Sequence, residues 1–332
     1  MRTNTDTLSK LRAHSNLLST DIFRTSSTDC NRVDNSSYLD LSPLYGSDDK
    51  SQASVRIHKN GLLKPDVFAE VRLLGFPPGV ATFLISFNRF HNYIAGELLV
   101  LNEGGRFTMP THYRNSKDKE AAEKKFDNDL FQTARLITCG LYVNVILNDY
   151  VKTILNLNHT ASEWVLDPRT NSKDKYGPTG IPQGVGNAVS CEFNLIYRWH
   201  SAISEKDAKW TEDFFAAHIP GKSPETLTGP ELGRAFGEFQ VKQGSDPTKW
   251  TFGGLKRTES GGFKDADLVR LLVESTDDVA GKQSFVYVLN SNPDLWLRRF
   301  RSTKSTHCAE GDRSARYGTG SQVERCNTER IS

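Results

Sequence analysis

Tyr197 and His200 stand three positions apart in the run Glu192-Phe193-Asn194-Leu195-Ile196-Tyr197-Arg198-Trp199-His200. On an α-helix that spacing puts the two rings on neighbouring faces, with an axial offset of about 4.5 Å. An imidazole so placed could bind the iron of a haem and would then hold the phenol beside the porphyrin. Oxidised haem can withdraw an electron from a phenol, and the resulting tyrosyl radical abstracts hydrogen from an apolar substrate without a diffusible oxidant. The same spacing also suits a buried helix whose His and Tyr only complete hydrogen bonds. A single Tyr-x-x-His leaves both readings open.

The element that must carry this pair runs from Asn187, a good N-cap, through about Ser201, with Phe193, Ile196, Tyr197, His200 and Ile203 on its buried side. Two longer helices precede it. Val80 to Asn102 follows Pro77-Pro78, which can open a helix but not sit inside one. It places Val80, Phe83, Phe87, Phe90, Ile94, Leu98 and Leu101 at three- and four-residue steps before Gly104-Gly105. Asp129 to Asn156 repeats the pattern with Leu130, Ala134, Ile137, Leu141 and Val145, after a charged stretch from Arg114 to Lys125 that reads as a loop. Ser36 to Gly46 is too irregular for a regular helix, and residues 167–186, rich in Gly, Pro and charge, form an exposed connection. Residues 1–35 are polar and weakly patterned, and from Ser302 onward almost no large apolar residues remain.

The 42 basic and 40 acidic residues are dispersed along the chain, leaving no basic field of the kind that nucleic-acid binding exploits, so no nucleic-acid partner is expected. The five cysteines, Cys30, Cys139, Cys191, Cys308 and Cys326, are far apart and form no CxxC pair. That argues against a zinc site or a thiol redox motif and for a reducing compartment. Met1 to Leu18 lacks the apolar run of a signal peptide, and no window reaches the roughly 18 consecutive apolar residues of a spanning helix. The expectation is a chain without a transmembrane segment, cytoplasmic or peripherally membrane-associated.

Longer stretches are more specific than the Tyr-x-x-His spacing. Glu192 to His200 resembles the proximal haem-ligand segment of the cyclooxygenases and, more closely, of the fungal linoleate diol synthases, also called psi-factor-producing oxygenases. Asp129-Leu130-Phe131-Gln132-Thr133-Ala134-Arg135-Leu136 resembles the preceding helix of the same families. Phe87-Asn88-Arg89-Phe90-His91-Asn92-Tyr93 is similar to their helix with a His-Asn pair, and the three stretches fall in the right order over about residues 20–280. The resemblance implies a mainly α-helical, cyclooxygenase-like haem-dependent peroxidase fold, incomplete at both ends. It divides the chain into a partial haem peroxidase/dioxygenase domain over 1–301 and a disordered tail over 302–332. It implies haem b, with His200 as the axial iron ligand and Tyr197 as the hydrogen-abstracting radical site. The substrates it implies are an unsaturated eighteen-carbon fatty acid and O2, the product a hydroperoxide, and it suggests a homo-oligomer. His91 is a rival ligand, but in the matching motif the His-Asn pair is structural.

A second site follows from the same resemblance. Ser36, Tyr38, Asp40 and Ser42 alternate as in the calcium loop of calcium-bearing branches of this superfamily, where two hydroxyls, a backbone carbonyl and a carboxylate supply hard oxygen ligands. Asp21 would add a second carboxylate from the neighbouring helix. The other reading of these residues is an N-capping loop of Ser and Asp.

The chain also departs from the family. Ser19 to Thr25 resembles the segment that carries a distal histidine at the place occupied here by Thr20, where that histidine shuttles a peroxide proton. A threonine hydroxyl does not titrate in the physiological range and cannot be that base near pH 7. His14 is no substitute: on a helix it would lie about 9 Å away and roughly 120° around. The apolar distal helix expected before Thr20 is replaced by polar residues. After Asp267-Leu268-Val269-Arg270-Leu271-Leu272, which still resembles the family, its later helices and the second, haem–thiolate domain of full-length diol synthases do not follow. Three readings stay open: a fatty-acid dioxygenase, a degenerate non-catalytic haem-binding remnant, and a haem peroxidase using small reductants. Against the third, Phe76-Pro77-Pro78-Gly79-Val80 has neither the Arg nor the Glu that peroxidase branches place near the haem.

Overall fold

The computed structural model describes residues 21, 24, 34–36, 38–155, 157, 203–222, 226–277 and 280–281. These are mainly α-helical, joined by one short antiparallel pairing of Ile203–Ser204 (β1) with Ala280–Gly281 (β2). The expected helix from Asn187 to Ser201 and the expected tail over 302–332 lie outside the described residues.

The irregular stretch before Ser42 ends with Leu39 and Leu41 in the left-handed region, at φ 56° and 55°. A single helical turn, α1 (Ser42–Tyr45), follows, and then α2 (Asp49–Val55). Asp48 starts α2 with a capping box: its carboxylate accepts from the Ser51 N–H at 2.8 Å, and its own N–H donates to Ser51 Oγ at 3.2 Å.

Helix α3 (Pro78–Leu101) has Pro78 in its first turn, where a missing N–H costs nothing, and ends at Asn102 with φ 36°. Its bounds agree with the apolar pattern, and Val80 and Phe87 of the expected stripe are buried, with Phe83 packed against the core. The buried face is broader than that stripe, also taking in Ala81, Leu84, Ile85, Asn88, His91 and Ala95, whereas Leu101 is exposed. Two of the added members are polar residues with internal partners. Asn88 Nδ2 donates to the carbonyls of Lys64 and Val67 at 3.1 and 2.9 Å.

Helix α4 (Ser116–Val145) continues without a break through a π-helical turn, Ile146–Val151, and a last turn, Lys152–Ile154. The stretch from Arg114 to Lys125, expected as a loop, is therefore helical from Ser116 onward. Asn115 caps it by accepting from the Asp118 N–H at 2.8 Å. Ion pairs one turn apart, Lys119–Glu123, Glu120–Lys124 and Lys125–Asp129, then support a segment that has no apolar stripe. The core-facing line of α4 is Asp127, Leu130, Phe131, Ala134, Thr138 and Tyr142, while the expected Ile137 and Leu141 are exposed. By length and composition Ser116–Val151 could cross a membrane. Within it Leu130, Phe131, Ala134 and Tyr142 are fully buried, the helix packs on α3, and Phe131 meets the Tyr45 ring of α1 edge-on, while Leu136, Ile137 and Leu141 are exposed.

The C-terminal described elements pack on α3 and on the turn at Val71–Gly75. Helices α5 (Glu205–His218) and α6 (Gly229–Gln243) meet through Phe214, Phe215, Phe236 and Phe239. Helix α7 (Asp265–Asp277), which contains the Asp267–Leu272 stretch, packs on α3. Arg89 of α3 ties this region down, with two nitrogens on Asp66 at 2.8 and 2.7 Å and a third on Asp265 at 2.6 Å.

Among the described residues, the most deeply buried ion pair joins α4 to the segment after α2. Arg56 meets Asp127 at 2.7 Å with both side chains less than a tenth exposed, at 8% and 9%, and its guanidinium lies 3.9 Å from the Phe131 ring centre. Asp127→Ala would leave that guanidinium buried without its partner and should cost about 3–5 kcal/mol in urea unfolding. Asp129→Ala, which removes one end of the surface pair with Lys125, should cost no more than about 0.5 kcal/mol.

Candidate functional site

Tyr197 and His200, and Thr20 with them, lie outside the described residues. The second expected site, the loop of Ser36, Tyr38, Asp40 and Ser42 with Asp21, can be built in detail. Asp21 is fully buried and sits behind Ser42. Its Oδ1 accepts from the Ser42 N–H at 2.8 Å and from the Ser42 hydroxyl at 3.0 Å, and its Oδ2 accepts from the Leu41 N–H at 3.3 Å. The left-handed turn at Leu41 is what presents these two consecutive N–H groups to one carboxylate. Asp40 also accepts from the Ser42 N–H, at 3.2 Å, so Ser42 joins the two acids.

Ser36, Asp40 and Ser42 line one open cavity together with Asp48, Asp49 and Arg135. Asp21 is not on its wall but touches it through Ser42. The Tyr38 side chain is exposed, and its N–H donates to Ser36 Oγ at 3.1 Å; what it can offer a cation is a carbonyl. Burial, and secondarily the charge of Asp40, pushes the Asp21 carboxyl up to about 7 against the hydrogen bonds from Ser42 and Leu41. Among the described residues no three His, Cys, Asp or Glu side chains gather as a metal cluster. The loop's donors on the wall are the Asp40 carboxylate with hydroxyl and backbone oxygens, Asp21 standing behind them; such oxygens suit a hard cation such as calcium and do not suit a soft metal.

Two residues of α4 that sequence reasoning passed over also reach this loop. Arg135 Nη2 stands 3.5 Å from Asp40 Oδ2, and the Cys139 thiol donates to the Asp40 carbonyl at 3.3 Å. Burial pushes the Cys139 thiol up to about 12, so it keeps the proton it donates. Arg135 lies inside a quoted family motif, and its place one turn before Cys139 on the same helix was visible. Its target was not, because Asp40 is 95 positions away.

His91, the rival iron ligand, is fully buried and has both ring nitrogens engaged. Nε2 is 2.9 Å from the Gly61 carbonyl and Nδ1 is 2.9 Å from the Tyr45 hydroxyl. A carbonyl only accepts, so Nε2 carries the hydrogen and the neutral ring accepts the Tyr45 proton at Nδ1. Burial, opposed by the bond to Gly61 and reinforced by the Arg56 and Arg135 charges, holds this imidazole down at about 4. Burial also raises the Tyr45 phenol far above its ordinary value. The neighbouring Asn92 accepts from the Leu63 N–H at 2.8 Å and donates to the Leu63 carbonyl at 3.0 Å. The His-Asn pair is thus a structural clamp, as the resemblance implied.

The sequence profile of the animal haem peroxidase family matches residues 4–228 of this chain. The chain is 51% identical over 283 residues to 7,8-linoleate diol synthase of Pyricularia oryzae, an alignment covering 82% of this chain and 24% of that protein. It is 50% identical over 283 residues to linoleate diol synthase of Gaeumannomyces graminis, with the same 82% and 24% coverage. With psi-producing oxygenase A of Aspergillus fumigatus it shares 49% identity over 268 residues, 81% of this chain and 24% of that protein. The chain spans about a quarter of the length of these curated relatives.

The His91 geometry sets a pH dependence. An unfolded histidine takes up a proton near its ordinary 6.5, the folded one only near 4, so between these values the unfolded chain binds more protons. This contribution to stability is full above pH 6.5 and is lost as pH falls through 4. Urea unfolding from pH 7 to 4 should show the wild type losing roughly 3 kcal/mol more than His91→Gln. Parallel profiles would mean that His91 is not the group responsible.

Proposed function

Because this chain belongs to the animal haem peroxidase family, we propose that it binds haem b through His200 and oxygenates an unsaturated eighteen-carbon fatty acid through a radical on Tyr197. The observation that carries the reading is the state of His91: with its nitrogens committed to Tyr45 and Gly61, the competing imidazole of the family motifs is out of use, which favours His200. The names of the relatives, linoleate diol synthases and psi-producing oxygenases, support the substrate class.

Haem b, when bound, supplies an oxidant able to take an electron from a phenol. Tyr197, having lost that electron and its proton, takes a hydrogen atom from the apolar chain of the fatty acid and becomes a phenol again. O2 adds to the carbon radical. The peroxyl group then draws the hydrogen atom back from Tyr197, leaving a hydroperoxide and renewing the radical for the next turnover. The role of the protein is to hold ring and substrate carbon at reacting distance and to keep water from both.

We assign calcium to the loop of Asp40, Ser36, Ser42 and the Tyr38 carbonyl, with Asp21 behind it. A divalent cation there would offset the repulsion from Asp40, which adds to burial in raising the Asp21 carboxyl. A second reading, a haem-binding remnant without turnover, is favoured by one specific observation, Thr20 in the place of the distal base.

Reconstitution with hemin separates the readings. The full chain should develop a Soret band that His200→Ala abolishes and Tyr197→Phe retains. Linoleate with a trace of hydroperoxide should drive O2 uptake in the wild type and only background uptake in Tyr197→Phe. A Soret band without uptake, with uptake restored by Thr20→His, selects the remnant reading. A spectrum unmoved by hemin or by His200→Ala defeats both.

A further inference from the structure

We propose that Arg135 sets the affinity of the cation loop by competing with the bound cation for the Asp40 carboxylate. The proposal rests on the assignment of calcium to that loop.

Arg135 stands on the wall of the same cavity as Ser36, Asp40 and Ser42. Its contact with Asp40 Oδ2, at 3.5 Å, is well beyond the roughly 2.8 Å of a settled charge-assisted bond. The pair is loose, and in the same position the guanidinium lies 5.1 Å from the centre of the Tyr45 ring, a contact that does not depend on Asp40.

The Asp40 backbone, by contrast, is held. Cys139, one turn further along α4, donates to its carbonyl at 3.3 Å, and the Asp40 carboxylate accepts from the Ser42 N–H at 3.2 Å. Helix α4 thus reaches the loop in two ways. Cys139 fixes where the main chain of Asp40 lies, and Arg135 contests what its side chain binds. A divalent cation held by Asp40 would lie about 6 Å from the guanidinium. Even at the dielectric of bulk water, the repulsion between a divalent cation and the guanidinium at that distance corresponds to about a tenfold loss of affinity.

The test is calorimetric titration of the chelator-treated full chain with calcium chloride. Arg135→Gln should bind calcium about tenfold more tightly than the wild type, Arg135→Lys should stay close to the wild type because it keeps the charge, and Asp40→Asn should lose binding in either background. Far-UV circular dichroism checks that each variant is folded. Should Arg135→Gln fail to fold, Arg135→Met, which keeps an apolar stem over Tyr45, carries the same expectation. Unchanged or weaker binding in the neutral variants, with a wild type that binds, overturns the role of Arg135 and spares the calcium assignment. A wild type that takes up no calcium removes the assignment and this proposal together.

Discussion

Gly61 is the point through which the described core is held together. Its N–H donates to Asp127 of α4 at 2.7 Å, and its carbonyl accepts from His91 of α3 at 2.9 Å. It has φ +70°, and a Cβ there would stand 2.6 Å from the Phe131 backbone nitrogen. Only a residue without a side chain lets α4 come this close in a left-handed turn. From this junction two buried lines extend: Asp127 to Arg56, and His91 to Tyr45. Because these groups lie out of water, each depends on every partner being present.

That polar seam explains why the sequence revealed the helices better than their orientation. The bounds of α3 were readable from Pro77-Pro78 and Gly104-Gly105, and α4 announced itself through Leu130 and Ala134. Counting apolar residues alone finds Val80 and Phe87 on α3 and Leu130 and Ala134 on α4, which are buried, but misses the rest of each buried face and includes the exposed Leu101, Ile137 and Leu141. Asn88 and His91 on α3, and Asp127 on α4, belong to the interior because they bond to partners elsewhere in the chain. A periodicity argument has no access to those partners. The first turns of α4 escaped notice for a related reason: ion pairs and the Asn115 cap sustain them, and neither leaves an apolar mark.

The loop before α1 was partly readable. The alternation of Ser36, Tyr38, Asp40 and Ser42 singled out the segment, and Asp21, 21 positions before Ser42, does bond to it, though to the Ser42 N–H and not on the cavity wall. What the pattern could not convey is layering. Asp21 is screened from the cavity by Ser42, and Arg135 and Cys139 arrive from a helix remote in sequence. Long-range pairing of that kind is decided by how α4 lies across the loop, which one sequence does not state.

One feature of α4 bears on how insertions and deletions are tolerated in this helix. Tyr142, Ile146 and Tyr150 are all buried although they recur every fourth residue. In a regular helix each such step overshoots a full turn by about 40°, so the third side chain, Tyr150, would swing away from the interior. The wider π-helical turn at Ile146–Val151 takes up this excess and resets the phase. Shortening the turn by a single residue would return the backbone to ordinary geometry while rotating everything after it. A local gain in hydrogen-bond regularity would thereby expose an aromatic ring, which makes the bulge a registration mark for whatever the chain builds downstream.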